Sequence, residues 1–323
     1  MVTENSIRSI YIPMAVLYNG ENLFGGDLLK NKALLPVLCA ALGNILWGLS
    51  FLFTKVSLTI APNPNVMLAH RFTISVLCMG IPLILGKEKI SFKGKNWKPI
   101  LFMLLMQSSY FLFETYGVLY TNATISGLVL AVVPVVTIGT GALFLREYPT
   151  RRQALFCLMP VAGVIIMTVS GKEMGVVTAL GIVFLLLTML VSAMFKTANR
   201  MASREFSAYE RTFLVLANSA VVFSLVGMGS VEWDVQAFVA PLLEVKYLLS
   251  VVSLGLLCSI AANLLVNYAS SHMSVFKVSS FGALSTLCAV VVGVVFLNEP
   301  MSWSLMLGVV LILVGIRQVT KPK

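Results

Sequence analysis

Ten apolar segments follow one another along the chain, and each is long enough to cross a lipid bilayer as a helix. The hydrocarbon core of a bilayer requires about 20 apolar residues per helix. Turn-forming residues, such as Pro62-Asn63-Pro64 and Asn298-Glu299-Pro300, fill the short connections. The sequence therefore predicts an all-α membrane protein with ten transmembrane helices, at 34–58, 65–86, 99–119, 124–145, 152–170, 175–198, 208–229, 246–268, 275–297 and 302–319.

The scarcity of charge agrees with a chain that is surrounded by lipid. Charged residues make up 11% of the sequence, apolar residues make up 58%, and the mean hydropathy is +0.93. A soluble domain carries roughly 25% charged residues, because a charged shell has to surround its core. The lipid bilayer is therefore the expected partner of most of this surface.

The basic residues lie almost entirely on one side of the predicted membrane topology. Of the 23 lysines and arginines, 19 fall on the side that contains the 87–98 loop and both termini, and two, Lys172 and Lys246, fall on the other. Cytoplasmic loops carry the excess of Lys and Arg, so both termini are predicted to be cytoplasmic, including an N-terminal segment at 1–32. The net charge of +10 follows from this asymmetry, and nucleic acid is not an expected partner. The expected location is a cell membrane, of the bacterial inner or plasma membrane type.

The chain repeats itself at long range. Glu147 precedes Gly163 by sixteen residues, and Glu299 precedes Gly315 by the same distance. Five spans per half is an odd number, so the second half is predicted to lie upside down relative to the first. Inverted repeats of this kind are typical of alternating-access transporters. The two predicted repeats are 33–172 and 173–323.

Several short motifs resemble a known family. They are Trp47-Gly48-Leu49-Ser50-Phe51 with Lys55, Arg71-Phe72, Tyr120-Thr121-Asn122-Ala123, and the glutamates that end the fourth and ninth spans. In order and spacing they resemble the drug/metabolite transporter superfamily, specifically its EamA-type ten-helix exporters. The resemblance covers residues 33–320 and implies a transporter of small metabolites, a family whose cargoes include amino acids, drugs and sugars.

Polar side chains within three of the spans fall on single helix faces. Their spacing of three and four residues places each set in one stripe, and lipid would penalise such stripes. We interpret them as the walls of a substrate cavity, although amide groups could instead join neighbouring helices. The predicted substrate-binding residues are Trp47, Phe51, Gln107, Tyr110, Asn263 and Asn267.

Charged residues in or near the spans form two further groups. Glu114 is the acidic residue that lies well inside a predicted span, and Arg71 and Lys55 share its depth. These three are candidates either for a static ion pair or for proton coupling. Candidates for ionic gates, or for simple interfacial anchors, lie nearer the membrane faces: Glu147, Glu299, Lys196 and Arg211.

The expected function is secondary transport, as an exporter of amino-acid-like or drug-like metabolites, by alternating access. No P-loop, GxSxG or HExxH motif occurs, so ATP hydrolysis and membrane-embedded enzyme activity are not expected. Five cysteines in apolar runs and two histidines offer no metal site, and no cofactor is predicted. Besides a small-molecule substrate, a second copy of the chain is a candidate partner in a homodimer. The alternative function is a non-transporting scaffold or receptor.

Overall fold

The computed structural model describes residues 34–91, 93–120, 129–130, 132–169, 178–285, 287–288, 291 and 303–320. These residues form helices joined by short loops, with no β-strand among them, in agreement with the all-α prediction. The helices are α1 (Leu34–Ile60), α2 (Pro64–Ile84), α3 (Lys98–Leu119), α4 (Val133–Leu145), α5 (Arg151–Val169), α6 (Ala179–Ala202), α7 (Ala208–Gly229), α8 (Val235–Val239), α9 (Val245–His272), α10 (Val275–Ser280) and α11 (Trp303–Thr320).

Among the described helices, five are long and apolar enough to cross a membrane by length and composition: α1, α2, α6, α7 and α9. Two further helices are apolar but shorter in their described parts, at Val133–Leu145 and Met306–Thr320. The predicted fourth and ninth spans include residues outside the described part of the chain. The structure therefore confirms an all-α protein with several membrane-spanning helices, and the total of ten stays a prediction.

Local sequence explains where the second helix of each half begins. Asn63 caps α2 by accepting hydrogen bonds from the backbone N–H groups of Asn65 (3.1 Å) and Val66 (3.3 Å). At the start of α7, the Ser207 hydroxyl accepts from Glu210 N and the Glu210 carboxylate accepts from Ser207 N. This reciprocal capping box pairs two N–H groups that no helical carbonyl can reach.

Helices of the two halves interleave, and several of their contacts come in matched pairs. With α1 to α5 as counterparts of α6, α7, α9, α10 and α11, the packing of α3 on α6 is matched by that of α9 on α1. The packing of α2 on α9 is matched by that of α7 on α3. Three further contacts join counterparts to each other: α2 to α7, α4 to α10, and α5 to α11. Among the described residues, each buried apolar cluster combines helices of both halves.

The contact between α5 and α11 shows the internal symmetry at residue level. A Cβ atom added to Gly163 would lie 2.9 Å from Ile312 Cγ1, and one added to Gly315 would collide with Pro160. Gly163 and Gly315 are 152 positions apart, and so are Pro160 and Ile312 (315 − 163 = 312 − 160). The same glycine contact is thus made twice, and small residues of this kind let membrane helices approach closely.

Candidate functional site

A π-helical segment in the middle of α9, Leu254–Ala261, brings polar groups of α9 against α2. A π-helix leaves backbone groups that a regular α-helix would pair, and such segments are frequent at functional sites. Ser75 of α2 donates a hydrogen bond to the Gly255 carbonyl (3.1 Å), and Arg71 Nε donates to Ser259 Oγ (2.7 Å). Gly255 permits this approach, because a Cβ atom there would lie 3.3 Å from the Arg71 carbonyl. The predicted polar stripe of α9 therefore meets the charged residue of α2.

Tyr110 and Glu114 lie one turn apart on α3, as their spacing predicted. The Tyr110 hydroxyl donates to Glu114 Oε1 at 2.6 Å. Arg71 is near enough to interact with Glu114 through charge, but the ion pairs formed among the described side chains lie elsewhere. In this conformation Glu114 is bound by a phenol, and Arg71 is bound by the Ser259 hydroxyl. Glu114 and Arg71 therefore have separate hydrogen-bond partners in this conformation.

The two amides predicted to line the cavity have different surroundings. Asn263 is half-buried, and its Nδ2 donates to the Ser259 carbonyl of its own helix (2.7 Å). Asn267 is buried, accepts from Asn199 Nδ2 (2.7 Å) and donates to Thr212 Oγ1 (2.8 Å). The Asn267 amide is therefore occupied by α6 and α7, whereas Asn263 makes only a local bond within the described contacts.

The remaining predicted cavity residues are placed as follows. Trp47 is half-buried against the apolar cluster that α1, α9, α10 and α11 share, and Gln107 is half-buried on α3. Phe51 and Lys55 belong to α1, but their side chains lie outside the described part of the structure. Glu299 lies outside the described residues altogether.

Arg211 is fully buried (0% exposed) in a network of neutral acceptors. One guanidinium nitrogen donates to the carbonyl of Asn199 (3.2 Å) and to its side-chain oxygen. The other donates to the Asn267 carbonyl (2.7 Å) and to Ser271 Oγ (2.6 Å). These acceptors lie in the last turns of α6 and α9, where helix dipoles supply partial negative charge. Arg211 therefore fastens the ends of α6 and α9 to the start of α7.

Glu147 forms a second polar contact at the same end of the bundle. Its carboxylate accepts from Arg200 Nε (2.9 Å) and from Val275 N (2.8 Å). Arg200 Nη1 also donates to the carbonyls of Ser270 and Ser271, both at 2.8 Å. We call the Glu147–Arg200 pair the ionic latch. It joins α4 and α6 to the end of α9 and the start of α10.

Glu147 is a gate candidate from the sequence, but Arg200 is not. The basic candidate that the sequence offers on α6, Lys196, lies one turn earlier and donates to Ser279 Oγ (3.2 Å). The available signal was the position of Arg200 in the last turn of its helix, where a cation is favoured. A cavity of about 320 Å³ adjoins the latch and is lined by Glu147, Tyr148, Gln153, Ser274, Phe276 and Lys277. In the part of the chain that the structure describes, no group of three or more His, Cys, Asp or Glu could hold a metal.

Comparison with known proteins agrees with this architecture. The pattern of the EamA-like transporter family matches residues 34–169 and again 179–320. The chain is 33% identical over 293 residues to the uncharacterized transporter YcxC of Bacillus subtilis (strain 168), covering 90% of this chain and 94% of the relative. An uncharacterized transporter of Archaeoglobus fulgidus is 22% identical over 287 residues, covering 88% and 98%. A solved crystal structure superimposes with a TM-score of 0.74 at 17% identity, covering 88% of this chain and 95% of that one, which supports the fold.

Proposed function

Because the chain belongs to the EamA-like transporter family, we propose that this membrane transporter exports small metabolites by alternating access between two inverted repeats. The observation that carries the proposal is the matched packing of the halves, in which the α3–α6 and α2–α9 contacts recur between the counterpart helices. Two near-equivalent halves around one interface can exchange roles, and that exchange opens a central site to one side and then to the other.

The conformation described here fits a state that is closed at one end. The ionic latch and the Arg211 network join α4, α6, α7, α9 and α10 at a single end of the bundle. The predicted topology makes this end cytoplasmic, since it also carries most of the basic residues. Labelling with an impermeant reagent in intact cells tests the orientation: cysteines in the 231–244 connection should react, and cysteines in the 87–98 loop should not.

We propose that cargo binds between the halves, at a site lined by Trp47, Tyr110, Asn263 and Gln107 and flanked by Arg71 and Glu114. Charges of both signs suit a small molecule that carries a carboxylate and an ammonium group, and the aromatic rings suit an apolar side chain. This combination favours amino-acid-like cargo over a purely apolar drug. Buried polar groups that are only locally paired are the ones a ligand can engage.

Glu114 is the proposed coupling residue. A carboxyl group inside a span can either take up a proton or pair with a cation, and a motion that changes its distance to Arg71 would link the two states. Glu114→Gln keeps the size and hydrogen bonding but cannot titrate. We expect it to abolish transport driven by a pH gradient while cargo exchange continues. An unchanged response to the pH gradient would exclude coupling at this residue.

The experiment that tests the function is flux into proteoliposomes with a panel of labelled amino acids, their amines and their N-acetylated derivatives. Saturable, competable uptake that requires both charged groups supports the proposal. Saturable uptake of uncharged compounds alone would keep the transporter and exclude the amino-acid-like cargo. A scaffold or receptor would bind without flux under every imposed gradient.

A further inference from the structure

The segment that connects α7 to α9, residues 231–244, carries several exposed apolar side chains. It contains α8, followed by a 3₁₀ turn at Ala240–Leu243. Asp234 caps α8 by accepting from the N–H groups of Gln236 (2.8 Å) and Ala237 (3.3 Å). Trp233 is 63% exposed and Leu243 is 82% exposed, and the valines of α8 are exposed as well. We call residues 231–244 the connecting segment.

One side of the connecting segment is fastened to the bundle. The ring of Phe238 packs edge-on against buried His70 of α2, with ring centroids 4.8 Å apart. A Cβ atom added to Gly227 of α7 would lie 3.2 Å from the Phe238 ring, so glycine allows that ring to reach the crossing of α2 and α7. Leu242 packs against the same apolar cluster. The orientation of α8 is therefore fixed by this contact.

The helical geometry of α8 then assigns its other faces. Residues on an α-helix are about 100° apart, so Gln236 lies about 200° from Phe238 and points away from the bundle. Val235 and Val239 share a face about 80° to one side of Phe238. Apolar side chains therefore project laterally, the amide projects outward, and the phenyl ring projects inward. This is the arrangement of a helix that lies in the plane of a membrane surface.

The lateral apolar face continues the surfaces that adjoining helices present to lipid. Exposed Val221 and Leu225 are one turn apart on α7, and exposed Val245 and Leu249 are one turn apart on α9. Both helices are long and apolar enough to span the membrane, so the connecting segment begins and ends at its surface. Tryptophan is enriched at that depth, where its ring is buried and its N–H remains hydrated.

We propose that the connecting segment binds lipid: Trp233, Val239 and Leu243 insert into the boundary between headgroups and acyl chains. Phe238 links this anchor to the crossing of α2 and α7. The segment then holds the ends of both helices at a fixed depth, rather than acting as a free aqueous loop. The occupant of the apolar face is phospholipid, and a protein partner on the same face is the competing outcome.

The test uses purified full-length protein in phosphatidylcholine–phosphatidylglycerol vesicles, with plain acyl chains or with chains brominated near the carbonyl end. In a Trp233→Phe background, a reporter is introduced by Val239→Trp, and the matched control is Ala237→Trp, about 200° away around α8. The background retains Trp47, Trp97 and Trp303, so the emission of each reporter is taken as its difference from the background. The ring at 239 should lie ~5–10 Å below the headgroups, so brominated lipid should remove roughly half of its emission. The ring at 237 should lose several times less and should be quenched by aqueous iodide supplied on both sides.

A comparison of the parent with Trp233→Phe provides a second measurement that needs no introduced tryptophan. The emission that brominated lipid removes should be smaller in Trp233→Phe than in the parent. Equal quenching of both reporters by iodide, with little effect of bromine, would show an aqueous loop and overturn the proposal. Reporters shielded from both quenchers would show a protein on this face and would overturn it equally.

Discussion

Removing the charge of Glu147 tests the proposal that the ionic latch closes one end of the bundle. Glu147 and Arg200 are partly buried, with side chains 19% and 24% exposed, and each has further partners on α9 or α10. Glu147→Gln retains the shape but weakens the charge-assisted bonds to Arg200 Nε and Val275 N. The state that depends on these bonds should then become less stable relative to the state in which α4 and α6 separate from α9 and α10.

The size of the effect follows from the number and exposure of the bonds. A hydrogen bond to a charged group contributes about 1.5–3 kcal/mol, and the partial exposure of both side chains places this pair at the lower end. A loss of about 1–2 kcal/mol corresponds to a shift of about 5–30-fold in the equilibrium between the closed and open states. Arg200→Gln should have at least as large an effect, because Arg200 also binds the carbonyls of Ser270 and Ser271.

Cysteine accessibility measures this shift. Ser279 is buried on α10, ~6 Å deeper than Val275, so Ser279→Cys should react slowly while the latch is closed. Site-specific mass spectrometry after treatment of inside-out vesicles with an impermeant maleimide separates this site from the native cysteines. Reaction at position 279 should accelerate about 5–30-fold in Glu147→Gln, in proportion to the open fraction. The free-energy shift in the double variant should not exceed the sum of the two single shifts, because both variants remove the same ion pair.

Arg152→Gln is the matched control for the loss of a charged hydrogen bond at the same end. Arg152 Nη2 donates to Gln318 Oε1 (2.9 Å) on an exposed surface and makes no described contact with the latch. Arg152→Gln should leave the labelling rate of Ser279→Cys unchanged. If Glu147→Gln labels like Arg152→Gln, the latch is only an interfacial anchor, and its role in closing the transport path is refuted.

Two further predictions concern packing and the cargo site. Gly163→Leu should destabilise the protein by about 1–3 kcal/mol, because an added Cβ atom already collides at the α5–α11 contact. At Gly139 an added Cβ atom meets no atom within 4 Å, so Gly139→Leu should leave the melting temperature nearly unchanged. Asn263→Leu should reduce flux about tenfold without loss of stability, whereas Asn267→Leu should cost about 1–3 kcal/mol of stability because it removes two buried hydrogen bonds, to Asn199 and to Thr212. Thermal unfolding in detergent and flux in proteoliposomes check both pairs. Normal flux in Asn263→Leu would place the cargo elsewhere.

Helix positions and the internal repeat could be predicted from the sequence because both are encoded locally. The length of an apolar run sets a spanning helix, which is why α1 at Leu34–Ile60 matches the predicted segment 34–58 closely. In the sequence the repeat appears as equal spacing between glutamate and glycine, and the structure shows where the two glycines pack. Gly163 and Gly315 occupy equivalent places in one helix crossing, where any side chain would force the helices apart.

The stripe on α9 shows where prediction from spacing stopped. An i, i+4 pattern places Ser259, Asn263 and Asn267 on one face, but it cannot state which neighbours that face meets. The π-helical segment shifts the face within the helix, so Ser259 meets Arg71 while Asn267 meets the end of α6. Hydrophobic patterning carries no information about this wider turn of the backbone, because an apolar segment has the same pattern with or without it.

The sequence by itself determined that the chain forms apolar spanning helices, that it repeats, and that it resembles ten-helix transporters. The tertiary structure alone decided which charges meet: Arg200 rather than Lys196 binds Glu147, and Arg211 is enclosed by neutral acceptors. The reason is geometric. Glu147 and Arg200 are 53 residues apart, and a change of one turn in the sliding of α6 along α4 would exchange one basic residue for the other. That register is fixed by close packing between helices, which no single helix encodes.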